Sequence, residues 1–207
     1  MMLYYIIAAG MKRFFRNLWS NNGPGWRTSR IMLTVCIVAL ILIMAFEDKL
    51  IYFPAKYPEG SWAIGETHPG EGEVVPRIED CHFSTSDGVN LHGWFCTPLR
   101  GEGGQHVAVA AEMVVLWFHG NAGNISYRYD MIRAMMELSA HVFIIDYRGY
   151  GKSEGKPTER GLYLDARAAW DYLTRERRIE PSRIVILGKS LGGVPAIDLP
   201  ARWNRPA

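Results

Sequence analysis

The first 46 positions contain no acidic residue, the 207-residue chain has only three cysteines, and no cysteine–histidine cluster has the spacing of a metal site. So few cysteines exclude a disulfide framework, and the missing ligand spacing leaves no metal to argue for. Net charge is small, +2 at neutral pH, too little for a nucleic-acid surface. No stretch is low-complexity and no internal repeat is evident, which excludes repeat architectures. Apolar content of 48% against 21% charged residues excludes disorder as the default state and leaves room for a sizeable core.

Cys36 lies in an apolar run, and Cys81 and Cys96 lie in two neighbouring strand-like segments. A hairpin turning at Asp87-Gly88 is expected to bring Cys81 and Cys96 to one face with a slight offset. That leaves either a disulfide or two buried thiols.

The basic excess is local. Lys12, Arg13, Arg16, Arg27 and Arg30 precede the first acid, Glu47. They adjoin Ile31 to Phe46, 16 residues without a charge. At ~1.5 Å per residue this run covers about 24 Å, short of a hydrocarbon core of about 30 Å unless Thr28, Ser29 and a snorkelling Arg30 extend it. A buried core helix and a cleaved signal peptide are the alternatives. The bulky Met44 and Phe46 fit a signal-cleavage site poorly. The pattern favours an uncleaved signal anchor, and the five cations put the N-terminus in the cytoplasm and the rest outside it. Met11, in front of Lys12-Arg13, is an alternative start to Met1.

Beyond the anchor, Leu50 to Trp62 is aromatic and proline-punctuated, and either lies at a membrane interface or docks on the domain. Glu79 to Ser84 and Val89 to Thr97 alternate as strands about Ser86-Asp87-Gly88. Arg100 to Gln105 reads as a loop. Met113 to Phe118, Val142 to Ile145 and Ile184 to Leu187 are continuous apolar runs, as strands covered on both faces require. Between and after them come helical patterns. Ser126 to Leu138 carries Tyr127, Met131, Met135 and Leu138. Thr158 to Arg177 carries Leu162, Ala166, Ala169, Trp170 and Leu173. A third begins at Leu191. The order implies an α/β fold: an antiparallel edge hairpin, then a parallel βαβαβα sheet.

The chemistry sits at the ends of those strands. Gly188-Lys189-Ser190-Leu191-Gly192 follows the last strand directly, and G-x-S-x-G at a strand-to-helix turn is a nucleophile elbow. Serine needs a base to take its proton and donors to hold the oxyanion. Side chains at Gly188 and Gly192 are expected to clash in the tight turn, and Gly193 to let the helix approach the sheet. His119-Gly120-Asn121-Ala122-Gly123-Asn124 ends the strand before, where a second oxyanion donor arises. The expected donors are the backbone N–H groups of Asn121 and Leu191, with His119 bracing the loop. Gly-Lys-Ser occurs at Gly151 and at Gly188. A phosphate loop would need glycine where Asp146 and Arg183 stand, so no nucleotide is implied.

Together HGNAGN, DYRGYGKSEG (from Asp146) and GKSLGG resemble the α/β-hydrolase superfamily, and in particular its membrane-anchored serine hydrolases of the acyl-protein thioesterase and lysophospholipase-like branches. The resemblance runs from about Leu50 onward. It implies an α/β-hydrolase fold and a serine hydrolase acting on ester, thioester or amide bonds of a small-molecule or lipid-like acyl substrate, with no cofactor and no metal. Ser190 is the implied nucleophile, Asn121 and Leu191 the oxyanion donors, and Asp146 and Arg148 loop supports. The implied organisation is a cytoplasmic N-terminus over 1–30, an anchor over 31–46, a linker over 47–78 and the hydrolase domain over 79–207, outside the cytoplasm. The superfamily's acid and histidine come later than the elbow, and only 17 residues follow Ser190. His68, His82, His92, His106 and His141 all precede it. The rival expectation is therefore a truncated, inactive fragment or a non-catalytic protein of this fold.

Overall fold

The computed structural model describes residues 24–62 and 70–203. The possible start at Met11, the cations Lys12, Arg13 and Arg16, and His68 lie outside the described residues. The chain divides into two units, Met1–Leu50 and Ile51–Ala207. The second begins well before Glu79, because the segment after Leu50 belongs to it.

In the first unit one helix, α1 (Pro24–Ile51), holds the apolar run. Pro24 opens it, where a missing N–H costs nothing. Ile31, Val35, Leu40 and Met44 are exposed at successive positions around the helix. Among the described residues no helix is long and apolar enough to cross a membrane. The spanning helix expected over Ile31 to Phe46 thus finds no support in the fold. The physical reason is its charge-free length, which falls short of a hydrocarbon core between Arg30 and Glu47.

The second unit is built on a six-stranded sheet in the order β1-β2-β5-β4-β6, with β3 beside β2. β1 (Val74–Ser84) and β2 (Asn90–Glu102) form a long antiparallel hairpin. Its turn is closed by Thr85, whose backbone N–H donates to the Val89 carbonyl at 2.9 Å. β3 (Gln105–Ala108) folds back on β2. The sequence reading expected a loop here. Gly103 and Gly104 both take positive φ (56° and 74°), the backbone of a two-residue hairpin turn, so the Gly-Gly pair is a hairpin signal. β4 (Val114–Phe118), β5 (His141–Asp146) and β6 (Ile184–Gly188) run parallel, and β5 also pairs antiparallel with β2.

Central strands are covered on both faces, as their unbroken apolar runs require. Phe143, Ile145, Leu116 and Phe118 face one core with Phe83, Phe95 and α3 (Glu159–Asp171). Val142, Ile144 and Trp117 face another with Trp94 and α2 (Tyr129–Met136). Thr158 caps α3 by accepting the Gly161 N–H at 3.0 Å. The helix continues past Asp171 as a π turn, Tyr172–Glu176.

Two readings are corrected here. The helix expected from Ser126 is a 3-10 turn, Ile125–Arg128, followed by α2, and it buries Ile125, Ile132 and Met136. Tyr127, Met131 and Leu138 are exposed. The expected stripe was one position off because the 3-10 turn changes the helical phase. Second, Cys81 stands opposite Gly93 and Cys96 opposite Ile78. An offset of three residues puts the two thiols on opposite faces of the sheet. They belong to different cores and both are free.

Candidate active site

The parallel pairing of β4 with β6 ends at Phe118 and Gly188, so the loops after both strands emerge side by side. Lys189 N–H donates to the Phe118 carbonyl at 3.0 Å and extends that pairing by one bond. The chain then turns sharply. Ser190 has φ of +53°, opens a 3-10 turn over Ser190–Gly192, and leads into α4 (Gly193–Trp203). Ser139 and Arg178 also have positive φ, but both follow helix ends, where a left-handed residue is ordinary. Ser190 stands at the start of a helix, where no such motif accounts for it. A serine held left-handed costs roughly 1–2 kcal/mol, and strain of this kind gathers at functional sites.

Glycine is obligatory on both sides of this serine. A Cβ at Gly192 would run into the Phe118 carbonyl, and one at Gly188 would strike the Gly192 carbonyl and come within 2.6 Å of the Ala196 Cβ. Gly193 is different: a Cβ there meets nothing within 4 Å. The expectation that Gly193 lets the helix approach the sheet is corrected accordingly. Close approach is made at Gly188 and Gly192 instead.

The loop after β4 lies over the elbow. A Cβ at Gly120 would stand 3.7 Å from the Ser190 Cβ and 3.6 Å from the Lys189 carbonyl oxygen. Neither Asn121 nor Leu191 donates its backbone N–H to a protein acceptor among the described residues. His119 is fully buried, with Nδ1 2.6 Å from the Gly120 carbonyl oxygen and its ring 4.6 Å from that of Tyr147. Tyr147 in turn donates its O–H to the His119 carbonyl at 2.8 Å. Burial pushes the His119 pKa down to about 4, so its ring is neutral at physiological pH. Its Nε2 is buried with no hydrogen-bond partner among the described residues.

The loop after β5 is organised by buried charge. Asp146 accepts the Ile125 N–H at 3.0 Å and the Lys152 N–H at 3.3 Å, and its Oδ2 lies 2.8 Å from His92 Nδ1. The other ring nitrogen of His92 lies 2.5 Å from Asp80 Oδ1. Burial raises the Asp80 pKa, but hydrogen bonds from His92 and Lys152 outweigh it and hold the carboxyl below its ordinary value. Arg148 binds buried Asp165 through its backbone N–H and its Nε, both at 2.8 Å, and grips Asp87 with both terminal nitrogens. Burial lifts Asp165 to about 6 despite Arg148, whereas the Arg148 hydrogen bonds hold Asp87 well below the carboxylate range. Asp146 and Arg148 thus brace loops.

The Asp80–His92–Asp146 bridge was not legible in the sequence. It depends on β2 pairing with β5, which places His92 opposite Asp146 although 54 positions separate them. His82 and His106 lie on β1 and β3, and His141 begins β5. No histidine or carboxylate is hydrogen-bonded to Ser190 among the described residues. No group of three or more histidine, cysteine or acidic side chains among them is placed to hold a metal ion.

Residues 110–206 match the family model described as serine aminopeptidase, S33. The α/β-hydrolase domain-containing protein WAV2 of Arabidopsis thaliana is 38% identical over 161 residues, covering 77% of this chain and 48% of the relative. The protein bem46 of Schizosaccharomyces pombe is 35% identical over 171 residues, covering 82% of this chain and 54% of the relative. The chain therefore spans about half the length of the curated relatives it matches. Among solved structures, the Pyrococcus furiosus esterase Pf2001 aligns at a TM-score of 0.49 and 24% identity, over 64% of this chain and 52% of that one.

Proposed function

We propose that the chain is an α/β-hydrolase with the chemistry of a serine hydrolase acting on an ester, thioester or amide of a small or lipid-like acyl compound, a reading supported by the family-model match over residues 110–206 and by the relatives it resembles. The reading is carried by one observation: Ser190 held at φ +53° between strand and helix, beneath the Gly120 backbone. In this reaction Ser190 Oγ attacks the acyl carbonyl and gives its proton to a base. The carbonyl oxygen becomes an oxyanion and takes hydrogen bonds from the N–H groups of Asn121 and Leu191. Collapse of the tetrahedral intermediate expels the alcohol, thiol or amine with a proton and leaves the acyl group on Oγ. Water then cleaves that ester, releasing the acid and restoring the serine. No residue of this chain is assigned the base or the acid that orients it.

The test is covalent. A fluorophosphonate probe is expected to modify the protein at Ser190 and to leave Ser190→Ala unmodified. Equal modification of the two proteins would overturn the assignment. A second reading is a non-catalytic protein of the same fold. It predicts that the wild-type serine is inert to the probe.

Attachment to a membrane through Ile31 to Phe46 belongs to the same proposal. Its support is the run of exposed apolar side chains on α1 and the five cations that precede Ile31 in the sequence. The protein is expected to stay with membranes through alkaline carbonate washing. Release into the wash would rule attachment out.

A further inference from the structure

The segment over residues 51–62, which follows the apolar run, is a strap laid across two loops of the domain. Gly123 N–H donates to the Phe53 carbonyl at 3.1 Å, and Ala55 N–H returns to the Gly123 carbonyl at 3.2 Å. Gly151 N–H donates to the Ala55 carbonyl at 2.9 Å, and Tyr57 N–H to the Gly151 carbonyl at 3.0 Å. Asn124 Nδ2 reaches the carbonyls of Ala55 at 3.2 Å and Glu59 at 2.8 Å. Tyr52 and Ala55 are buried. Of the two places open to this segment from its composition, the interface or the domain, it takes the domain.

The carboxamide of Asn121 lies where strap and loop cross. Its Oδ1 accepts the Phe53 N–H at 3.1 Å and the Tyr150 O–H at 2.8 Å, and its Nδ2 donates to the Ile51 carbonyl. Each of these three partners lies outside the His119–Asn124 loop. Two side-chain torsions separate this clamped carboxamide from the backbone N–H of the same residue, so fixing one restrains the other. The loop itself supplies little stiffness, with Gly120 before Asn121 and Gly123 after it. An oxyanion donor accelerates a reaction only if it is aimed before the charge forms.

We infer that Asn121 is a positioning residue, its carboxamide clamped by the strap and by Tyr150 so that its own backbone N–H is held over Ser190. The inference rests on the serine-hydrolase reading and adds to it a role for residues 51–53 and for Tyr150. A strap that merely covered the domain would need no hydrogen bond to this side chain, since its backbone pairing with Gly123 and Gly151 already secures it.

The experiment uses the whole chain and measures saturation kinetics of Ser190 modification by a fluorophosphonate, together with the urea unfolding midpoint. Tyr150→Phe removes one hydrogen bond to Asn121 and keeps the ring. Asn121→Ala removes all three. The maximal modification rate is expected to fall about tenfold in Tyr150→Phe, the worth of one hydrogen bond, and further in Asn121→Ala. Half-saturating probe concentration stays unchanged in both, and the midpoint of Tyr150→Phe stays close to wild type. Amide exchange of the peptide over residues 119–124 should rise in both variants. If wild type is modified and both variants react at the wild-type rate, the positioning role is wrong and the serine-hydrolase reading stands. If wild type is not modified at all, that reading fails and takes the positioning role with it.

Discussion

Gly192→Ala should lose a large share of the stability of the domain, whereas Gly193→Ala, one residue on, should gain some. At Gly192 the added methyl meets the Phe118 carbonyl, at the end of a buried central strand and already bonded to Lys189 N–H. Neither backbone can move without parting β4 from the elbow. Overpacking that cannot relax costs about 3 kcal/mol or more, a large share of the 5–15 kcal/mol that ordinarily holds a domain together. At Gly193 the methyl meets nothing, and the residue has helical backbone (φ −63°) at the start of α4. Replacing glycine by alanine in a helix is worth roughly 0.5–1 kcal/mol. Urea unfolding followed by circular dichroism reads both changes. Equal midpoints for the two variants would contradict the assignment of close approach to Gly192.

Acid should destabilise the protein through His119, and a His119→Gln variant should be free of that loss. The pKa of the buried imidazole is lowered to about 4 from an ordinary 6.5. The unfolded chain therefore takes up a proton between these values while the folded chain does not. A base with a depressed folded pKa contributes stability above pH 6.5 that is lost as pH falls toward 4. At roughly 1.4 kcal/mol per unit the loss is about 3 kcal/mol. Asp165 works in the opposite direction. Its folded pKa is raised to about 6, so its contribution is full at pH below about 4 and is lost as pH rises through 6. The two partly offset each other in wild type, so the informative quantity is the difference between wild type and variant. That difference is expected to change by about 3 kcal/mol between pH 7 and pH 4. A difference independent of pH would show that His119 is not a buried neutral ring.

Much of what is encoded over a few consecutive residues was legible before the fold, although the Gly103-Gly104 hairpin turn was not. The apolar runs that became β4 and β5 stand out because a strand covered on both faces needs no polar alternation, whereas β6, at the end of the strand order, leaves Val185 and Leu187 exposed and corrects the expectation that it too is covered on both faces. Thr158 marked the start of α3 because its hydroxyl takes an otherwise unpaired N–H. The elbow was legible for the same reason: strand, turn and helix are contiguous, and the glycines beside Ser190 relieve clashes within one turn.

Errors arose where a residue's meaning depends on what is packed against it. Gly192 and Gly193 are chemically identical, and only the position of Phe118 across the sheet tells them apart. Cys81 and Cys96 fall on opposite faces because the hairpin register, not the turn sequence alone, sets which residues share a face. His92 meets Asp146 only because β2 pairs with β5, and Asn121 is clamped only because the strap returns across its loop. The sequence by itself determined the central apolar strands, the helix that Thr158 caps and the sharp turn at Ser190 after β6, since these follow from local sterics and periodicity. Which glycine is indispensable, which carboxylates brace loops and what restrains the loop over Ser190 were decided by the tertiary structure, because those contacts join residues far apart in the chain.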